Sequence, residues 1–174
     1  MSLERAFLRI VAALAAAALL ASAPGFAQVS DTAVKAAFIP KFARYVTWPT
    51  SPHGPIAICI IGEDVFGNAI DRAALSQSAD GRPIIVKRIP SAANASDCAI
   101  AFVSGAHTGE TLAALGRAPI LTITDSRSGP PRGIIHFAIV DGRVRFYIDN
   151  AQAQARGLII SSRLLALAIG VNQK

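Results

Sequence analysis

Cysteine, tryptophan and charge are all scarce in this sequence. Two cysteines, one tryptophan and one methionine occur in 174 residues, and only 16% of the side chains are charged while 52% are hydrophobic. Two cysteines exclude a disulfide-dense scaffold, and their wide separation excludes a thiolate metal centre. So little charge beside so much apolar side chain excludes a disordered chain. Nucleotide and hydrolase signatures are missing too. No G-x-G-x-x-G, no Gly-Lys-Ser/Thr ending and no G-x-S-x-G is present, so no dinucleotide fingerprint, phosphate loop or nucleophile elbow is written here. No metal and no cofactor is expected.

Part of the apolar content belongs to the N-terminus. Arg5 and Arg9 precede an Ala/Leu-rich core from Ile10 to Ala21 and a small-residue end, Gly25-Phe26-Ala27. This pattern predicts a secretory signal peptide over residues 1–27, leaving one domain over 28–174. The apolar core is shorter than the roughly 18–20 residues a bilayer span needs, and no later segment reaches that length. No lipobox cysteine lies near the cut, so the expected location is the periplasm. That compartment excludes nucleic acid as a partner. The excess of 17 basic over 11 acidic residues, a formal charge of +6, then points to an anionic ligand, an acidic protein face, a membrane surface or plain solubility. In an oxidising compartment Cys59 and Cys98 permit one disulfide, and buried free thiols are the alternative. Both lie in apolar strand-like runs, which a doubly wound order can make adjacent.

Along the domain, Ser30 or Asp31 can cap a helix running on to Tyr45-Val46, with Val34, Phe38, Phe42 and Tyr45 on one stripe. Pro40 predicts a kink or a late start, and Trp48-Pro49 a stop. Ile56 to Ile61 is continuously apolar, as a strand buried on both faces requires. A helix over Val65 to Leu75, a strand over Pro83 to Ile89, a strand over Cys98 to Val103, a helix over Thr108 to Leu115 and a strand over Pro119 to Thr124 follow. Alternation of this kind predicts parallel crossovers. Asp141-Gly142, between Ile134–Val140 and Arg143–Asp149, is a preferred two-residue hairpin turn. It pairs Val140 with Arg143, placing Ile135, Phe137 and Ile139 with Val144, Phe146 and Ile148 on a core face. His136, Arg143, Arg145 and Tyr147 then share the other. Ala151 to Arg156 and a last helix from Ser161 or Ser162 finish the chain. The expected fold is a single α/β domain of Rossmann-like type, with a mostly parallel central sheet, an antiparallel C-terminal hairpin and helices on both faces.

Four groupings could carry chemistry. Gly62, Ser104 and Asp125 fall near the carboxyl ends of strands, where open α/β sheets bind ligands, so they form a candidate ligand crevice. Ser104, His107 and Asp125 could in principle act as a hydrolytic triad, although Ser104 lacks an elbow glycine before it. Turn and cap roles are the plainer reading of both. Arg143 and Arg145, flanked by Arg127 and Arg132, form either a basic patch or a solvated face. Arg44 and Trp48, with Phe42 and Tyr45, form either an exposed partner-binding stripe or the anchor of the first helix.

One stretch, Ala37-Phe38 through Lys41-Phe42-Ala43-Arg44-Tyr45-Val46-Thr47-Trp48-Pro49, resembles the opening of the YfiR-like family of periplasmic proteins. Ile58 to Gly67, Asp97 to Val103, Gly133 to Phe137, Arg145 to Asp149 and Gly157 to Ala168 follow in that family's order. Pro40 and Asp149 depart from its pattern. The resemblance implies a non-enzymatic regulator that binds the periplasmic part of an inner-membrane diguanylate cyclase, or a similar membrane signalling protein, and so lowers cyclic di-GMP and biofilm formation. The expected partner surface combines Arg44 and Trp48 with His136, Arg143, Arg145 and Tyr147. A homodimer, a small-ligand sensor and an uncharacterised hydrolase are the alternatives carried forward.

Overall fold

Six consecutive apolar residues, Ile56 to Ile61, leave a strand no solvent face, so it must lie inside a sheet covered on both sides. In the computed structural model, which describes residues 30–50, 54–126 and 132–173, all six are buried. The signal peptide expected over 1–27 and Arg127 lie outside the described residues. The strands are β1 (Val46–Thr47), β2 (Ile56–Gly62), β3 (Ser78–Ala79), β4 (Arg82–Ile89), β5 (Cys98–Ser104), β6 (Leu121–Asp125), β7 (Ile135–Val140), β8 (Arg143–Asp149), β9 (Ile159–Ile160) and β10 (Gly170–Asn172). The main sheet has the order β10-β8-β7-β6-β5-β2-β4-β3, while β1 and β9 form a separate antiparallel pair. The five central strands β4, β2, β5, β6 and β7 are parallel, and β8 returns antiparallel to β7. The predicted α/β architecture is therefore the observed one. Strand order reverses at β2, with β4 on one side and β5 on the other. Short edge strands, β3 and β10, close the sheet and offer little backbone for unwanted pairing.

Helices cover both faces. On one side α1 (Asp31–Phe42) and α2 (Asn68–Leu75) pack on a core that includes Ile39, Phe42, Ile58, Phe102, Phe137 and Phe146. On the other, Leu112 and Leu115 of α3 (Thr108–Leu115) pack with Cys59, Ala101 and Val103. Two short helices, α4 (Asn150–Ala155) and α5 (Ser162–Leu165), finish the first layer through Ala153 and Leu164.

Local chemistry sets the boundaries that periodicity misplaced. Ser30 caps α1 by accepting from the Ala33 N–H, so the helix starts at Asp31 and the late start expected from Pro40 does not occur. Pro40 sits in the last turn instead, where it removes the one bond that an N–H at that position would donate to the Ala36 carbonyl and leaves the preceding turns intact. The chain then tightens into a 3-10 turn over Ala43–Tyr45 and extends as β1, so the helix ends short of the expected Tyr45-Val46. Similarly, α2 begins at Asn68 rather than Val65. The Asp64 carboxylate accepts from the N–H groups of Phe66 and Gly67 and holds those residues in a turn.

Two cross-links fasten the layers. Cys59 of β2 and Cys98 of β5 are joined by a disulfide with Cα atoms 5.8 Å apart, which resolves the two readings of these cysteines. A register shift in the pairing of β2 with β5, between Ala57 and Ile58, makes the pair diagonal neighbours. The second link is ionic. Lys35 of α1 reaches Asp125 at the end of β6, Nζ to Oδ2 3.1 Å, with both side chains almost fully buried. Desolvation makes such a pair weakly stabilising as a whole, yet removing one member is strongly unfavourable.

Two outcomes follow from these links. Lys35→Met should lower the urea-derived unfolding free energy by on the order of 3 kcal/mol, because a buried carboxylate loses its adjacent ammonium; a change within error would show that the pair holds nothing. Cys59→Ala with Cys98→Ala should cost about 3–4 kcal/mol through the long loop released. Thiol counting on the unreduced, denatured protein should find neither cysteine free.

Candidate functional site

The hairpin is built by its turn. Asp141 and Gly142 both take positive φ, 49° and 67°, as a type I′ turn requires. The register is the predicted one, with His136 opposite Tyr147, Ala138 opposite Arg145 and Val140 opposite Arg143. Phe137 and Phe146 face α1, where they meet Phe38 and Phe42 at centroid distances between 5.4 and 6.4 Å. Ile139, expected in the core, is 41% exposed because the hairpin tip projects past the covering helices. Arg143, Arg145 and Tyr147 are exposed on the face away from α1. Neither arginine forms an ion pair among the described residues.

His136 belongs to the same face but is 95% withdrawn from solvent, being 5% exposed. A chain of hydrogen bonds places it. The Gly133 and Ile134 N–H groups donate to the hydroxyls of Thr124 and Thr122 on β6, and Thr124 Oγ1 lies 2.9 Å from His136 Nδ1. Gly133 is required there, since a Cβ would meet Thr122 O at 2.8 Å. Next door, β10 runs parallel to β8 with Gly170 beside Tyr147, so the phenol ring lies over a residue without a side chain. The Arg132 guanidinium stands 5.5 Å from the centre of that ring, a cation–π distance. Together these residues wall a cleft of about 320 Å³ that also includes Ile148, Asp149 and Asn172. Asp149, the family departure, caps α4 by accepting from the Gln152 N–H and accepts a second bond from Asn172. Burial holds the His136 imidazole below its ordinary range, and the Arg132 charge adds to this; Asp125 opposes it, while Lys35 depresses it further.

The other expected sites are rearranged. Gly62 and Ser104 are register partners, and a Cβ on Gly62 would collide with the Ser104 carbonyl. The Ser104 hydroxyl donates to the Glu63 carbonyl, and Asp125 is paired with Lys35. The polar groups of the expected strand-end crevice are thus engaged with protein. Ser104, His107 and Asp125 form no triad either, for His107 is solvent-exposed beside Glu110, 3.2 Å away. Trp48, expected as part of an exposed stripe, is buried and donates from Nε1 to the Ala99 carbonyl, which ties β1 to the sheet. Arg44 is exposed but follows α1, on the layer opposite Arg143, Arg145 and Tyr147. The expected single partner surface is therefore two separate patches. Arg132 was expected beside the basic patch, whereas the contributions of β10 and Gly170 were not read from sequence; a glycine in a short, poorly periodic segment carries too weak a signal.

These features define a disulfide-linked, doubly wound α/β domain whose C-terminal hairpin, bordered by the edge strand β10, exposes a polar face. A family model described as YfiR/HmsC-like matches residues 32–169. The chain belongs to the YfiR/HmsC-like family. Comparison with curated proteins gave no match.

The depressed His136 sets a pH dependence. Its folded pKa lies below the unfolded value of about 6.5, so the unfolded chain takes up the proton first on acidification. The stability it contributes is complete above about pH 6.5 and is lost as pH falls through the folded pKa. The melting temperature should therefore drop on going from about pH 7 to pH 5, and His136→Gln should flatten that slope. An unchanged slope in the variant would assign the acid sensitivity to other groups.

Proposed function

We propose that this protein is a periplasmic regulatory binding domain that restrains an inner-membrane signalling protein, a diguanylate cyclase being the partner its family implies, and thereby controls cyclic di-GMP and biofilm formation. Membership of the family supports the regulatory class. The observation that carries the binding surface is the outer hairpin face, where Arg143, Arg145 and Tyr147 are exposed together and neither arginine has an ionic partner among the described residues. Arginine and tyrosine are the side chains most often found at energetic centres of interfaces. With a chain charge of +6, they suit an acidic face on the partner. The same charges would steer its approach. Arg44, on the other layer, offers a second contact; Trp48 acts through the integrity of β1.

Non-enzymatic action follows from the same reading. The serine, histidine and aspartate nearest to a catalytic arrangement are each engaged with other groups, so binding is the activity this surface supports best. A small-ligand role is compatible with regulation.

Arg143→Glu with Arg145→Glu tests the surface. The double variant should keep the wild-type circular dichroism spectrum, because its core lies on the opposite hairpin face. Its association with the periplasmic part of the membrane partner should be slower by about tenfold or more at low salt, with cellular cyclic di-GMP raised. A folded variant that restrains the partner as well as wild type would reduce the hairpin face to a solvated surface.

A further inference from the structure

We propose that the outer edge of β8 at the hairpin tip is a strand-addition site for an extended acidic segment of a protein partner, one that carries an apolar residue between two acidic ones.

The turn decides which backbone groups are free. In a two-residue hairpin the residues flanking the turn, here Val140 and Arg143, exchange both of their hydrogen bonds, and such pairs alternate along the ladder with pairs that exchange none. Arg143 and Arg145 therefore spend their backbone groups on β7. Val144, opposite Ile139, turns its N–H and carbonyl outward. Phe146 obeys the same alternation, and its carbonyl accepts from a group outside the hairpin, the Ile169 N–H at 3.0 Å. β10 covers that edge only from Tyr147 onward. No hydrogen bond engages either backbone group of Val144 among the described residues. Access is open too, since Ile139 and Val140 beside it are exposed.

The side chains choose the occupant. Arg143 and Arg145 are exposed on the face away from α1 and have no ion pair among the described residues, while Val144 lies on the opposite face, partly buried against the core. On an added strand, residues lie opposite their neighbours and on the same face. A residue opposite Val144 thus meets apolar surface, and the residues on either side of it meet the two guanidinium groups. An acidic–apolar–acidic order satisfies all three positions and reads the same in both strand directions. Backbone hydrogen bonds supply the part of the binding that is independent of sequence. Arginines on an edge also repel a second copy, whose own β8 would set Arg145 against Arg143. The edge is therefore closed to self-association and open to an acidic chain. This inference rests on the hairpin face as the partner surface and specifies how the partner is held.

The test uses peptides in place of the partner. Acetyl-Thr-Glu-Val-Glu-Thr-amide, and the same peptide with lysine for glutamate, are titrated at low salt into isotope-labelled protein. The acidic peptide should shift the Val144 amide resonance saturably and slow exchange of that N–H with solvent; the basic peptide should do neither. N-methylation of the peptide valine keeps the charge and removes the donor to the Val144 carbonyl, so it should weaken binding by about fivefold or more. Val144→Pro removes the outward N–H without breaking a bond to β7, and should lose most of the acidic peptide's binding while keeping the circular dichroism spectrum. Should that variant misfold, the N-methylated peptide makes the same test on the wild-type protein. Arg143→Glu with Arg145→Glu should transfer binding to the basic peptide. Binding that ignores N-methylation and leaves Val144 exchange unchanged would overturn strand addition, yet leave the hairpin face as a charged partner surface. Absence of binding by the acidic peptide would overturn the proposal outright, and the regulatory reading would still be judged by the arginine double variant on the membrane partner itself.

Discussion

The ion pair between Lys35 and Asp125 is the constraint around which the rest of the molecule is arranged. A lysine in the first turns of an N-terminal helix has no reason to be buried unless a carboxylate waits for it, and Asp125 stands at the carboxyl end of β6 to do so. With that contact made, α1 is held in register over the sheet, and Phe38 and Phe42 lie against Phe137 and Phe146. The same contact occupies one corner of the region where open parallel sheets usually receive ligands. Ser104 and Gly62 close the adjoining corner by direct backbone approach. The strand ends thereby present groups already engaged with protein rather than an open crevice.

At that edge the physics changes. β2, β5 and β6 are buried on both faces, and the Cys59–Cys98 disulfide ties β2 to β5, so these strands have little surface to offer. β8 is covered on one face only. Its alternate residues therefore divide cleanly into Phe146 and Ile148 beneath α1, and Arg143, Arg145 and Tyr147 in water. A hairpin of this kind is a rigid platform for exposed arginines, because its register is set by the turn and its inner face by aromatic packing. β10 then adds three residues beyond it and converts an open flank into a walled cleft.

His136 links the two levels. Its neighbours beneath it are threonine hydroxyls of the sheet, and its neighbours above are Arg132 and Tyr147 of the surface. Protonation of the ring would place a charge against Arg132 and Lys35, and this is why burial and those two cations act in the same direction on it.

Much of this was legible in the order of the residues. The apolar run Ile56 to Ile61 announced a doubly covered strand, and strand–helix alternation announced parallel crossovers, because both are local consequences of burial period. Asp141-Gly142 settled the register of the whole hairpin, including the neighbourhood of His136 and Tyr147, since a two-residue turn leaves the strands no freedom to slip. The quoted motifs carried family resemblance for the same reason. Other features depended on contacts between distant segments. Composition cannot say that Lys35 finds Asp125, that Trp48 turns inward to the Ala99 carbonyl, or that Arg44 and Arg145 end on opposite layers. Periodicity is also too weak to reveal strands of two or three residues, such as β1, β9 and β10, whose existence rests on a partner strand. The sequence by itself determined which strand must be buried on both faces and how the hairpin pairs; the tertiary structure alone decided which polar side chains meet and that Trp48 and His136 turn inward, because that depends on where the chain returns in space.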